Sequence, residues 1–328
     1  MPCLSLHRLS LLCLLGILFF PTTNLALPNS AKVPVLIYHS WNVGSDCSYV
    51  NNAPAALESD LETIRQQGFV VVPLYWIAEW AVGIRDGSTL PDKVVGLTFD
   101  DGVSGDWYDN ASSPCGYVKS FRTILQEFKA RYPDLPWYSP HAAVFVVGSP
   151  SARQFVGGNT MTDEWWAAAN SSGIMEIYNH STDHDHESIH GQYGPSFPAA
   201  FDSSLGIYIP VAGYGMDAYN WVGRNNFFRI DSYLEANYEI ARSAQYISSK
   251  IGVWPDLFAY PFGHEVPYLI NDYFPNYPGE HQTLAAFCCG DSFVTRNSSR
   301  YCLPRFSHGS PGGWTTPAGL VSILQRAQ

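Results

Sequence analysis

Residues 94–102 read Val94-Val95-Gly96-Leu97-Thr98-Phe99-Asp100-Asp101-Gly102. A run of β-branched and aromatic side chains makes a buried strand, and this one stops on two carboxylates and a glycine. Neighbouring residues on a strand point to opposite faces. Asp100 and Asp101 therefore invite a division of labour, one as cation ligand and the other as proton acceptor. Taken alone, Asp-Asp-Gly is a strand-ending turn. Its weight comes from what lies on either side.

Upstream, Val33 to Tyr38 is a short apolar strand. Leu57, Leu61 and Ile64 recur at helical spacing after Pro54 and predict a helix over 55–67, ended by Gly68. Phe69 to Val72 is a strand, and a short helix is expected from Trp76 to Val82. Downstream, Val118, Phe121, Leu125 and Phe128 share one face of a helix over 118–131. Ala142 to Val147 is a fully buried strand type. A helix is expected from Thr162 to Ser172, opened by Thr162-Asp163-Glu164 as a cap. Ile174 to Ile177 is a strand, and a long helix spans 231–251 from Asp231 to Gly252. Leu257 to Tyr260 and Ala285 to Cys288 complete the pattern. Alternating strands and helices make a parallel α/β fold. About seven strands suit a distorted (β/α) barrel, one domain over 32–328. The Gly-, Pro- and aromatic-rich stretch 186–230 breaks the rhythm as a cap insertion.

Composition narrows the function. The chain has 328 residues, 46% hydrophobic and 14% charged, so it is neither disordered nor a disulfide-stapled miniature. With Lys+Arg 18 against Asp+Glu 29 the net charge is −11, which excludes nucleic acid and anionic membrane as electrostatic partners. Aromatics at 15% suit a surface that stacks on sugar rings or apolar ligands. No internal repeat is visible.

Met1 to Pro21 joins a basic start at Arg8 to the apolar run Leu11 to Phe20, too short to span a bilayer comfortably and of secretory type. Residues 1–26 are read as a signal peptide cut near Ala26, with an uncleaved anchor as the alternative. No membrane span is expected after cleavage. The product is expected to be secreted, periplasmic or at the cell surface. Export permits disulfides. Cys47, Cys115, Cys288, Cys289 and Cys302 then remain, so at most two bridges form and one thiol is left. Asn110, Asn170, Asn179 and Asn297 open glycosylation sequons.

In a parallel barrel the site lies at the carboxyl ends of the strands. Chemistry-bearing residues follow four of the expected strands there: His39, then Asp100 and Asp101, then His180 and His184, then Pro261-Phe262-Gly263-His264. His180 and His184 have the spacing that lets two imidazoles reach one cation from a helix or tight turn. His186 and His190 lie close by. Ser181 stands where a thermolysin-like peptidase has its Glu. One Asp and two His make an open cation site suited to Zn²⁺ and its neighbours. A bound divalent ion lowers the pKa of its water from about 15.7 towards ~7. The same trio also serves non-haem iron oxygenases, so the residue types leave the reaction open.

Val33 to Ser40, Thr98 to Gly102, His180 to His184 and Phe258 to Gly263 together resemble the motifs of the polysaccharide deacetylase family, also called the nodulation-deacetylase homology family. The resemblance runs in order over roughly 33–306. It is nearest to the branch with an amino-terminal Tyr-His segment, as in poly-N-acetylglucosamine deacetylases. It implies a distorted (β/α) barrel and metal-dependent removal of N- or O-acetyl groups from an acetylated glycan. Zn is the expected ion, with Co, Ni or Mn as alternatives. By resemblance Asp100 is the general base, Asp101, His180 and His184 are the metal ligands, and His39 is the general acid. His308 is the rival acid, from other branches. Phe262 contributes a backbone N–H to the oxyanion site, and Tyr260 and Trp221 are expected at the substrate, with Tyr214 and Tyr219 beside Trp221 in the cap. Ala259 stands where the family has the Arg that orients the base, and Arg305 is the candidate substitute. Two other readings stay open: an inactive glycan-binding protein of this fold, and a carbon–nitrogen hydrolase acting on a non-sugar amide.

Overall fold

The computed structural model describes residues 26–184, 199–202, 207–210 and 227–327. The expected signal peptide up to residue 25 lies outside the described residues, as do His186, His190, Tyr214, Tyr219 and Trp221.

The strands are β1 (Val35–Tyr38), β2 (Val70–Val71), β3 (Val94–Phe99), β4 (Asn110–Ser113), β5 (Gly116–Val118), β6 (Ala142–Val146), β7 (Met175–Asn179), β8 (Ala199–Asp202), β9 (Ile207–Pro210), β10 (Leu257–Ala259), β11 (Ala285–Phe287) and β12 (Phe306–Ser307). The main sheet runs β11-β10-β7-β6-β3-β1-β12, with β2 added beside the start of β3. Every pairing in it is parallel. The hairpins β4–β5 and β8–β9 stand apart from it.

The two ends of this sheet meet. Leu303 bridges Phe287 of β11 in parallel. Its N–H donates to the Ala286 carbonyl at 2.8 Å, and its carbonyl accepts the Cys288 N–H at 3.0 Å. A few residues on, Phe306 and Ser307 pair with Leu36 and Ile37 of β1. The stretch 303–307 thus stitches one edge to the other, and the sheet is the distorted (β/α) barrel that the strand–helix rhythm implies.

Alternation along each strand sorts side chains between two cores. Val95, Leu97 and Phe99 of β3 pack outward against Leu57, Leu61, Phe121 and Leu125 of the helices Ala53–Gln66 and Phe121–Arg131. Val94, with Val35, Phe145 and Phe287, faces the lumen together with the helix Leu74–Ala81. Gly96 makes room for that helix, since a Cβ there would sit 3.0 Å from both Leu74 Cδ1 and Ile77 Cδ1. The amino end of the barrel is therefore stoppered, and Thr98 and Asp100 continue the lumen-facing row toward the carboxyl rim.

Several boundaries differ from the sequence reading. The helix expected over 162–172 is confined to Trp166–Asn170. The Asp163 carboxylate does not cap it but accepts Arg153 Nη2 at 2.8 Å and the Tyr246 hydroxyl. Val118 belongs to β5, and its helix begins at Phe121 behind a Ser120 cap. The long helix is capped by Ser232 rather than Asp231, and it widens to a π turn over Tyr238–Arg242 between Tyr233–Asn237 and Ser243–Ile251. Cys47 bonds Cys115 and Cys288 bonds Cys302, leaving the Cys289 thiol free. Asn179 is buried and donates to the Ile240 carbonyl, so its sequon is closed in the folded chain. Among the described residues no helix is long and apolar enough to cross a membrane.

Candidate active site

Three of the rim residues converge. Asp101 Oδ1 lies 3.5 Å from His180 Nε2 and 3.3 Å from His184 Nε2. One ligand atom from each of the three falls within 4.8 Å of the others. His180 Nδ1 donates to the Ala259 carbonyl at 2.8 Å. A carbonyl can only accept, so Nδ1 carries a proton and Nε2 is the ring atom turned toward Asp101. The donor set, two imidazoles and one carboxylate, fits Zn²⁺ or a neighbouring transition metal. Trp41 Nε1 holds the other Asp101 oxygen at 2.7 Å.

The backbone is bent to achieve this. Asp101, Ser181, His184 and Phe262 have φ of 78°, 72°, 69° and 56°, the left-handed region that non-glycine residues seldom adopt. Such residues cost on the order of 1–3 kcal/mol each and persist where their surroundings over-determine them. Here the surroundings are polar. Ser181 Oγ accepts the His184 N–H at 3.0 Å, and Asn179 Oδ1 accepts the Ser181 N–H at 3.0 Å. The buried Glu239 accepts the N–H groups of Thr182 and Asp183 at 3.1 and 3.4 Å. Glu239 lies in the π turn, which aims its carboxylate at this loop. The imidazoles thus share a tight turn, not a helix.

Asp100 points the other way, into the lumen, and meets Arg305. Arg305 Nη1 and Nη2 donate to its two oxygens at 2.7 and 2.9 Å, and Nη1 also reaches Thr98 Oγ1 at 3.1 Å. Both groups are buried, with Arg305 fully so and its guanidinium 5.4 Å over the Phe145 ring. Burial alone would raise the Asp100 carboxyl, but the Arg305 charge and hydrogen bonds, together with the nearby His180 and His39, hold the group below the usual carboxylate range. Arg305 reaches this place because the stitching stretch 303–307 puts it between the two sheet edges.

The remaining expectations divide. His39 is half-buried beside the Trp41 ring, centroids 5.5 Å apart, and near enough for its charge to bear on both Asp100 and Asp101. His308 is stacked on Tyr38 at 5.5 Å, and burial pushes its imidazole down to about 4. The Phe262 ring lies edge-on to His184 at 4.5 Å, and its N–H donates to no backbone carbonyl among the described residues. Tyr260 corrects the sequence reading. Its side chain is fully buried among Phe227, Phe258 and Phe274 and its hydroxyl donates to the Tyr301 carbonyl, so it holds the wall and offers substrate nothing.

Sequence reasoning missed Trp41, Glu239 and Asp106. Trp41 lies just beyond His39 on the same rim loop, which was the available signal. Asp106 follows the Asp-Asp-Gly turn and is fully buried. Burial, with the charges of Asp101 and Asp100, pushes its carboxyl well above the ordinary range.

The family model for polysaccharide deacetylase matches residues 87–274. The chain belongs to the polysaccharide deacetylase family. No curated protein matches it. Among solved structures it is similar to IcaB from Ammonifex degensii, at 20% identity and TM-score 0.55 over 92% of this chain and 98% of that one. It is similar to Streptococcus pyogenes deacetylase PplD, solved in complex with acetate, at 14% identity and TM-score 0.56 over 90% and 99%. A polysaccharide deacetylase from Bacillus cereus aligns at 16% identity and TM-score 0.55 over 90% of this chain and 69% of that one.

Proposed function

We propose that this chain is a secreted, metal-dependent hydrolase that removes acetyl groups, N-acetyl above all, from a polysaccharide or oligosaccharide. The observation that carries the reading is the convergence of Asp101, His180 and His184, one ligand atom from each within 4.8 Å of the others, beside a carboxylate clamped by Arg305. A divalent ion held by that trio supplies Lewis acidity at the acetyl carbonyl and makes water a stronger acid.

The side chains do the rest. Asp100 stays ionised at neutral pH in the Arg305 fork and takes the proton of the attacking water. A carboxylate held low is a weak base, which suffices only where the water is already acidified. The Phe262 N–H faces the growing oxyanion, a contribution of about 3–4 kcal/mol for one good donor. His39 delivers a proton to the departing nitrogen, without which an amine is a poor leaving group. The low value of His308 leaves it unprotonated near neutrality, which favours His39 as the acid. Two disulfides among the described residues support export to an oxidising compartment.

The test is acetate release from chitooligosaccharides, poly-N-acetylglucosamine, peptidoglycan and acetylated xylan, each with Zn²⁺, Co²⁺ or chelator. Release that requires the ion and is lost in Asp101→Ala is expected. Glycan affinity with no release under any ion would make the chain a binding protein and overturn the reading.

A further inference from the structure

Rings lead away from the ion-ligand trio in one direction. His184 meets Phe262 at 4.5 Å, Phe262 meets His264 at 5.4 Å, and His264 meets Phe228 at 5.6 Å. Phe262 and Phe228 are 42% and 50% exposed, so the row presents aromatic surface. It ends at an open cleft of about 660 Å³ lined by Phe228, Tyr268, Asn271, Asp231 and Asp272. That volume is ordinary for a small-ligand site. Both carboxylates are exposed, and no Lys or Arg pairs with either among the described residues. The Tyr268 hydroxyl sits in the field of Asp272, Asp231 and Glu235 together. Aromatic rings beside two exposed carboxylates select a ligand with an apolar face and a cationic edge.

We propose that this cleft is a second glycan subsite, specific for a sugar unit that carries a free amine. The identity of the polymer rests on the deacetylase reading; the charge selectivity does not. A deacetylated unit is an ammonium on a ring whose carbon face stacks on Phe228 or Tyr268 while Asp231 and Asp272 take the charge. The aromatic row leads from the candidate active site toward the cleft. One strand can therefore lie with an amine-bearing unit in the cleft and an acetylated unit at the ion. The substrate class becomes a partly deacetylated chain, and each turnover makes the next binding event tighter.

Binding separates this from the catalytic reading. Affinities of a glucosamine pentamer and an N-acetylglucosamine pentamer are measured by calorimetry on Zn²⁺-loaded, full-length Asp100→Asn protein, so that neither probe turns over. The glucosamine pentamer is expected to bind more tightly, with an advantage that shrinks as salt rises. Adding Asp231→Asn and Asp272→Asn is expected to weaken it by about fivefold and to leave the acetylated pentamer unchanged, the scale of two exposed ion pairs. Phe228→Ala, which keeps both carboxylates, is expected to weaken it too. Melting temperatures check that the variants fold. Equal affinity for the two pentamers, or indifference to the Asp changes in folded protein, overturns the proposal. If binding shows this selectivity but no glycan ever releases acetate, the catalytic reading fails alone.

Discussion

Arg305 grips Asp100 from 205 residues along the chain, with its two terminal nitrogens 2.7 and 2.9 Å from the two carboxylate oxygens. The planar fork fixes both oxygens at once, which a lysine cannot do. The barrel's closing stretch and the proposed base are thereby one structural unit.

Arg305→Met is expected to lose about 3–5 kcal/mol of stability, since it leaves a buried charge unpaired. It also misplaces the base, at a cost of about 10²-fold in kcat/KM. Arg305→Lys recovers part of the stability and less of the rate. With the guanidinium gone, burial raises Asp100, so the acidic limb of the kcat/KM profile moves to higher pH. The depressed value in the native chain gives stability that is present above the unfolded pKa of about 3.9 and lost as pH falls through the folded value. Acid unfolding of Arg305→Met is therefore less steep. A pH–rate profile with an unmoved acidic limb removes Asp100 from the role of base.

Asp101→Ala and His184→Ala are expected to abolish ion binding. In the unaltered chain, Zn²⁺ at a hundred times its dissociation constant stabilises by about 2.7 kcal/mol, and the variants lose that increment. Thermal melts with and without chelator measure it. A full Zn²⁺ response in either variant sends the ion elsewhere.

His39→Gln is expected to lower kcat by about 10²–10⁴-fold and to erase the basic limb of the pH profile. His308→Gln disturbs the stack on Tyr38, so it lowers the melting temperature while keeping that limb. If the basic limb follows His308 and not His39, the assignment of the acid is reversed.

Glu239→Gln keeps the volume but puts an amide where the Thr182 and Asp183 N–H groups now meet a carboxylate. Ion affinity is expected to fall about 10–100-fold, as for other supports of ligand loops. Zn²⁺ competition against a chromophoric chelator reads this directly. Unchanged affinity would show that the loop holds its shape without Glu239.

The lumen strands were legible because each is a short unbroken apolar run. The trio was legible because Asp101, His180 and His184 stand immediately after such runs. Closure was not legible, since Leu303 to Ser307 is brief and interrupted by Pro304 and Arg305, and its partners lie on strands distant in sequence. The Thr162 cap misled because a capping carboxylate counts only when unspent, and Asp163 is spent on Arg153 and Tyr246. The hairpin Asn110–Val118 escaped notice because it is largely exposed and polar. The Arg305 fork was guessable only as a missing partner for Asp100. Its geometry depends on that closure.

The helix Leu74–Ala81 wedged against Gly96 turns the barrel into a cup with a sealed base. No polymer can thread through it, and whatever enters the mouth must leave by the same opening. A glycan of the kind proposed therefore presents the reacting unit at the mouth and withdraws it there, without passing through the barrel.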